Sequence, residues 1–195
     1  MCYYITMALP GQAQLAALAP VAQRHAIALQ PIKNASVRRH LAAGDQYLLT
    51  TTSFCDCATS LGDDRRGPSR KGDETLLCKI EKLMRKGWSQ TKVDRWLAEK
   101  RKTRLRDERN YKEHLAASAD DAERWLAGLR EILSTGGAPW VALLLHWYDG
   151  GVDREIIQVK RVEAVRLAET TRATLTGLEE DVLYRFHGPA GRAGR

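Results

Sequence analysis

Apolar residues recur in this chain with two different periods, so its fold must contain both helices and strands. Residues 122–133 carry apolar side chains three and four positions apart, which is the spacing of one helix face. Residues 3–9 and 140–148 are rich in aliphatic and aromatic side chains without that spacing, which favours strands. With 195 residues, 44% of them hydrophobic, the chain can bury one substantial core. We therefore predict an α+β fold in which residues 1–187 form a single domain.

The N-terminal quarter predicts a small β-α-β-β unit. Pro10-Gly11 ends the first strand, and Asn34 is placed to cap a short helix. If the third strand pairs antiparallel with the first, the start of one lies beside the end of the other. The predicted elements are a strand at 3–9, a helix at 12–24, a strand at 26–32, a short helix at 34–41 and a strand at 46–54.

The middle of the chain predicts helices joined by a polar segment. Residues 62–72 contain no apolar side chain beyond proline, which predicts a mobile loop. Central helices are predicted from Asp73 to Gly87, from Ser89 onward, and over 122–133 behind a capping box at 118–121.

The last third of the chain first predicts an antiparallel β-hairpin. Residues 140–148 and 152–162 both have strand character, and the glycine pair at 150–151 suits a two-residue turn. This register places Leu144 opposite Ile157 and His146 opposite Glu155. A surface cross-strand contact is the ordinary interpretation of the second pair, and a histidine oriented by a carboxylate is the functional one.

The end of the chain predicts a C-terminal helix and a disordered tail. Thr176–Glu179 resembles a capping box, and apolar residues follow it as far as Phe186. Residues 188–195 are rich in glycine and arginine, which predicts disorder.

The four cysteines are the sharpest chemical feature of the sequence. No basic and apolar leader precedes the first strand, so we expect a cytoplasmic protein with reduced thiols. Pairing of the first and third strands would bring Cys2 beside Cys55 and Cys57, which would supply three sulfur ligands for zinc. Cys78, a histidine, Asp56 or water could be the fourth ligand. The alternative is that all four cysteines are small buried residues, since C-x-C is not the usual C-x₂-C spacing.

Cys2 also allows a catalytic interpretation. Removal of Met1 would expose an N-terminal cysteine whose own α-amine could act as its base. The N-terminal-nucleophile amidotransferases begin with Cys-Gly, whereas Tyr3 follows Cys2 in this chain. This departure weakens the catalytic interpretation, and we assign no catalytic residue.

A basic block predicts an anionic partner. Residues 65–112 hold 17 lysines and arginines against 7 aspartates and glutamates, while the rest of the chain is slightly acidic. Such a block attracts acidic proteins or nucleic acid, although it is often just a solvated helix face. An acidic protein is the first expectation and nucleic acid the second. The predicted partner-binding residues are Arg85, Lys86, Lys92, Arg95, Lys100, Arg101, Lys102 and Arg104.

The function expected from these features is non-enzymatic binding. No glycine-rich phosphate loop, G-x-S-x-G or H-E-x-x-H motif is present in the sequence. A macromolecular inhibitor, such as the immunity partner of a bacterial toxin, fits the size and charge of the chain. The alternatives are a nucleic-acid-binding regulator and a cysteine-dependent hydrolase or transferase. Residues 86–97 (KGWSQTKVDRWL) resemble the entry to a helix-turn-helix, but 101–111 offers no glycine turn before a recognition helix.

Overall fold

The computed structural model of the protein describes residues 2–57, 59–62, 72–117, 120–135 and 137–188. The chain divides into two compact units. The first combines Met1–Asp63 with Ser118–Arg195, and the second is Asp64–Ala117. The expectation of a single domain stays a prediction.

The first unit is built on a mixed sheet of six strands. The strands are β1 (Cys2–Leu9), β2 (Gln30–Pro31), β3 (Gln46–Leu49), β4 (Trp140–Tyr148), β5 (Arg161–Arg166) and β6 (Val182–His187). Their order in the sheet is β2-β3-β1-β4-β6-β5. β1 pairs antiparallel with both β3 and β4, β4 pairs antiparallel with β6, and β5 pairs parallel with β6.

Three helices cover one face of this sheet: α1 (Leu15–Arg24), α5 (Asp121–Ser134) and α6 (Arg172–Thr176). Leu129 and Ile132 of α5 are fully buried against alternate residues of the central strands, such as Ile5 and Leu143. Alternate strand residues point to opposite faces, so the remaining strand residues need a separate cover.

The second face is covered by α2 (Ala35–Arg38) and by the irregular segment 152–159. Asn34 links these two covers. Its Oδ1 accepts hydrogen bonds from the backbone N–H groups of Ser36 and Val37, and its Nδ2 donates to the carbonyls of Val152 and Glu155, both at 2.9 Å. The predicted Asn34 cap is thus present, and it also fastens a distant segment.

The described residues of the second unit form two helices, α3 (Gly72–Arg85) and α4 (Gln90–Ala117). Gly87 ends the first of them with φ +81°, a conformation that glycine adopts without steric cost. The side chains of residues 72–78, of Arg104 and of most residues after Arg106 lie outside the described part. No described helix is long and apolar enough to span a membrane.

The α+β fold class and the antiparallel pairing of the first and third strands are confirmed. The predicted β-hairpin is wrong. β4 pairs instead with β1 and β6, and residues 155–160 form no strand. Leu144 and Ile157 do share one apolar cluster, but Ile157 reaches it by folding over the second face. A fully apolar strand gains more from two buried neighbours than from a polar hairpin partner.

The predicted C-terminal helix is also wrong. A capping box joins Thr171 to Thr174 and opens the short α6, and residues 182–187 form strand β6. Val182, Tyr184 and Phe186 face the helices while Leu183 faces the other way, which is strand alternation. Residues 189–195 of the predicted 188–195 tail, most of the predicted 62–72 loop and the cap residues 118–119 lie outside the described residues.

Candidate metal centre

Three cysteines meet beside the first residue of β1, at one end of this central strand. After β3 ends at Leu49, the chain continues beside β1. Two backbone hydrogen bonds hold it there. The N–H of Thr50 donates to the Ile5 carbonyl, and the N–H of Asp56 donates to the Tyr3 carbonyl at 2.9 Å. This path carries residues 55–57 to the start of β1. The Sγ atoms of Cys2, Cys55 and Cys57 all lie within 4.8 Å of one another.

These distances suit a single metal ion. Sulfur atoms about 2.3 Å from a tetrahedral zinc ion lie about 3.8 Å from one another. Sulfur atoms that all lie within 4.8 Å of one another are therefore close enough to share one such ion. Cys2, Cys55 and Cys57 lie close enough to bind one metal ion, as the predicted strand pairing requires. All three are half-buried free cysteines.

Asp56 positions the two cysteines beside it. Its Oδ2 accepts the backbone N–H of Ile5 at 2.8 Å and also the hydroxyl of Thr51. The residue is 5% exposed, and burial raises the pKa of its carboxyl group although both hydrogen bonds oppose that shift. Asp56 therefore acts as a brace between the cysteine segment and β1. The prediction that it could be the fourth ligand has no support, because Asp56 is not among the described side chains that come close enough to share an ion with the three sulfur atoms.

The Cys57 sulfur has a backbone donor of its own. The N–H of Tyr3 donates to Cys57 Sγ at 3.1 Å. The pKa of the Cys57 thiol is raised to about 12, chiefly by burial and also by the neighbouring Cys55 and Cys2, while the Tyr3 donor opposes the shift. Cys57 is consequently a neutral thiol at neutral pH unless a cation is present. A bound metal ion would supply that positive charge and deprotonate the thiol.

Tyr4 supports the segment from the other side. Its hydroxyl donates to the carbonyl of Phe54 at 3.0 Å, and its ring meets Tyr148 edge-on with centroids 5.5 Å apart. Burial raises the pKa of Tyr4, and the adjacent Cys2 and Cys55 add to this. The Phe54 ring itself is 85% exposed. The side chain of Cys78, the other predicted ligand, lies outside the described residues.

A second polar cluster surrounds His146 on β4. Its Nδ1 lies 2.6 Å from Asp181 Oδ1, and its Nε2 lies 3.5 Å from Glu155 Oε1. The predicted proximity of His146 to Glu155 is thus present, although the hairpin that suggested it is not. His146, Glu180 and Asp181 also lie close enough to hold one cation. Asp181 was missed because it falls in the predicted C-terminal helix, whereas its φ of +65° turns the chain into β6.

The predicted partner-binding residues are lysines and arginines of the second unit. Arg85 lies 3.8 Å from Glu81, and Lys92 lies over the Trp88 ring at 4.3 Å from its centroid. The side chain of Arg104 lies outside the described part. The described members of the set with exposed side chains are Arg85, Lys86, Lys92, Arg95, Lys100, Arg101 and Lys102. That they bind an acidic protein or nucleic acid stays a prediction.

Comparison of the chain with protein-family models, with curated proteins and with solved structures finds no match.

Proposed function

We propose that this protein binds a zinc ion through the thiolates of Cys2, Cys55 and Cys57. The observation that carries the proposal is the convergence of the three Sγ atoms within 4.8 Å. Thiolate sulfur is the preferred ligand of zinc and other soft or borderline metal ions, whereas magnesium and calcium prefer oxygen. The backbone donor to Cys57 supports the proposal, because hydrogen bonds to a ligating atom orient it towards the metal.

The ion would have a structural role. It would join the first residue of β1 to the segment that follows β3, which Asp56 and Tyr4 already hold in place. The free energy of metal binding would then add to the free energy of folding. Since β1 is paired on both sides at the centre of the sheet, an ion bound at its first residue would help to hold its alignment with β3 and β4.

Elemental analysis of protein purified without chelator tests the proposal. We expect about one equivalent of zinc, which is lost at acid pH as the thiolates protonate. C55S and C57S should each lose the metal. The C78S variant removes the thiol of the second unit, and it should keep the metal if the three thiols of the first unit hold it. Metal-free wild-type protein that also fails to take up added zinc would overturn the proposal.

A second candidate function is the binding of an acidic protein by the second unit. The observation that favours it is the row of exposed basic residues on α4, including Lys100, Arg101 and Lys102. Opposite charges steer association and select partners, and exposed charges on a helix are accessible to a partner. Co-purification from the native host followed by mass spectrometry tests this function, because an acidic protein should be retained at low salt and released at high salt.

A further inference from the structure

A histidine and two carboxylates meet where β6 begins beside β4. A ring nitrogen of His146 and one oxygen each from Glu180 and Asp181 all lie within 4.8 Å of one another. The side chains of His146 and Asp181 are 12% and 19% exposed, so this is not a loose surface cluster. Imidazole nitrogen and carboxylate oxygen atoms bind zinc at about 2.0–2.2 Å and lie about 3.3 Å apart around a tetrahedral ion. The three side chains are therefore close enough to share one ion.

Hydrogen bonds to the backbone of β4 fix the two carboxylates beside His146. The N–H of Asp181 donates to the Leu145 carbonyl at 3.0 Å, and the N–H of Trp147 donates to Glu180 Oε1 at 3.0 Å. Both bonds join the turn before β6 to the residues on either side of His146. The sheet thus sets the positions of the three side chains, which lowers the conformational entropy that binding of an ion would cost.

Negative charge exceeds positive charge around the imidazole ring. Besides Glu180 and Asp181, Glu155 places its Oε1 3.5 Å from His146 Nε2. Among the residues that the structure describes, Lys160 is the only lysine or arginine that forms an ion pair with one of these carboxylates, at 3.6 Å from Asp181 Oδ2. Partly buried charges are usually paired or bound to a metal ion. A divalent cation would balance the remaining negative charge.

The second ring nitrogen of His146 points to the same conclusion. Its Nε2 is wholly buried and forms no hydrogen bond within the described part of the chain, whereas Nδ1 lies 2.6 Å from Asp181 Oδ1. A histidine that binds a metal through one nitrogen usually donates the N–H of the other to a carboxylate. An ion on Nδ1 would leave the ring proton on Nε2, facing Glu155. The N–H groups of Asp149 and Gly150 already hold the Glu155 carboxylate in place, at 2.9 and 2.8 Å.

We propose that His146, Glu180 and Asp181 bind a zinc ion through one nitrogen and two oxygen ligands. An imidazole with two carboxylates suits zinc, whereas calcium and magnesium prefer oxygen ligands alone. The ion takes the place of the proton between Nδ1 and Asp181, and that proton is released to the solvent. Three protein ligands leave the fourth position to water. This site contains no cysteine and is independent of the thiolate site.

Counting zinc in the full chain tests this site separately from the thiolate site. Zinc chloride is titrated into the protein with a chromophoric chelator that reports the free ion, and we expect two bound equivalents. E180Q keeps an oxygen for the Trp147 N–H but loses the ligand charge, so it should bind the second equivalent at least about tenfold more weakly. D181N should do the same, since asparagine tolerates the positive φ at this position. The matched control is E179Q, because Glu179 pairs with Arg161 at 2.9 Å instead.

The two sites fail separately in this titration. Loss of one equivalent in C55S but in neither E180Q nor D181N would overturn the site at His146 and leave the thiolate site standing. Loss in E180Q and D181N but not in C55S would do the reverse. Equal weakening by E179Q and E180Q would show binding to surface charge in general and also overturn the site. A far-ultraviolet circular dichroism spectrum matching that of the wild type distinguishes the loss of a ligand from the loss of the fold.

Discussion

The Oδ2 atom of Asp56 accepts the backbone N–H of Ile5 at 2.8 Å, although Asp56 lies in an irregular segment and Ile5 at the centre of β1. This bond takes the place of a strand-to-strand bond where the ladder of β3 has already ended at Leu49. The carboxylate thus extends the pairing of β1 beyond β3. The cysteines on either side of Asp56 owe their position to this side chain.

The D56A variant tests this brace. Alanine has no acceptor, so the backbone N–H of Ile5 and the hydroxyl of Thr51 both lose their partner. We expect a loss of about 1–3 kcal/mol in the free energy of unfolding, the range for a buried donor that is left unsatisfied. Zinc content should fall with it. Urea unfolding monitored by circular dichroism measures the first effect, and unchanged stability would contradict the role of Asp56.

The pH dependence of stability should also reveal Asp56. Because burial raises its pKa in the folded protein, the folded state holds this proton more tightly than the unfolded state does. Its contribution to stability is therefore largest at acid pH and decreases as the pH rises from about 4 through the raised pKa. We expect the difference in unfolding free energy between wild type and D56N to shrink with rising pH. A difference that grows with pH would show that the folded-state pKa is lowered.

Part of this centre follows from sequence patterns and part does not. The strand character of 3–9 and 46–54 and an antiparallel pairing predict the meeting of Cys2 with Cys55 and Cys57. The roles of Asp56 and Tyr3 could not be predicted, because they depend on how the chain leaves β3. Periodicity describes regular elements and carries no information about irregular segments.

The errors in the C-terminal third have a similar cause. The composition of residues 140–148 predicts a strand but does not predict which strands will pair with it. One of its partners, β6, lies more than thirty residues later in the chain. The Leu183–Phe186 segment has apolar residues that fit either a helix or a strand. The segment is a strand because it pairs with β4, in the place that the predicted hairpin strand would have taken. Tertiary contacts of this kind outweigh local sequence preference.

A pair of glycine substitutions tests the packing of the cysteine segment. A Cβ added to Gly62 would lie 2.2 Å from the Asp56 carbonyl oxygen, whereas one added to Gly151 meets nothing within 4 Å. G62A must displace the backbone beside Asp56, so we expect a loss of about 1–3 kcal/mol in unfolding free energy and a lower zinc content. G151A should leave both unchanged. Equal effects of the two substitutions in the same urea and elemental analyses would contradict this account.

In the metal-free protein, the thiols of the cysteine cluster should react with an alkylating reagent at different rates. The pKa of Cys57 is raised to about 12 by burial, so almost none of it is thiolate at neutral pH. We expect Cys57 to be alkylated more slowly by iodoacetamide than the other two cysteines of the cluster, as measured by mass spectrometry of peptides after a short reaction. Added zinc should protect all three. Fast alkylation of Cys57 in the folded, metal-free protein would contradict its assigned environment.

The contact between His146 and Asp181 should stabilise the first unit independently of metal binding by the cysteines. His146 is largely buried, with its Nδ1 2.6 Å from Asp181, so H146Q loses this contact and leaves the carboxylate beside Lys160. We expect a loss of about 1–3 kcal/mol in the free energy of unfolding, because a largely buried hydrogen bond between the imidazole and a carboxylate is lost. H40Q is the matched control, since His40 is exposed. A double-mutant cycle of H146Q with D181N should show coupling between the two side chains, and additive losses would mean that they act independently.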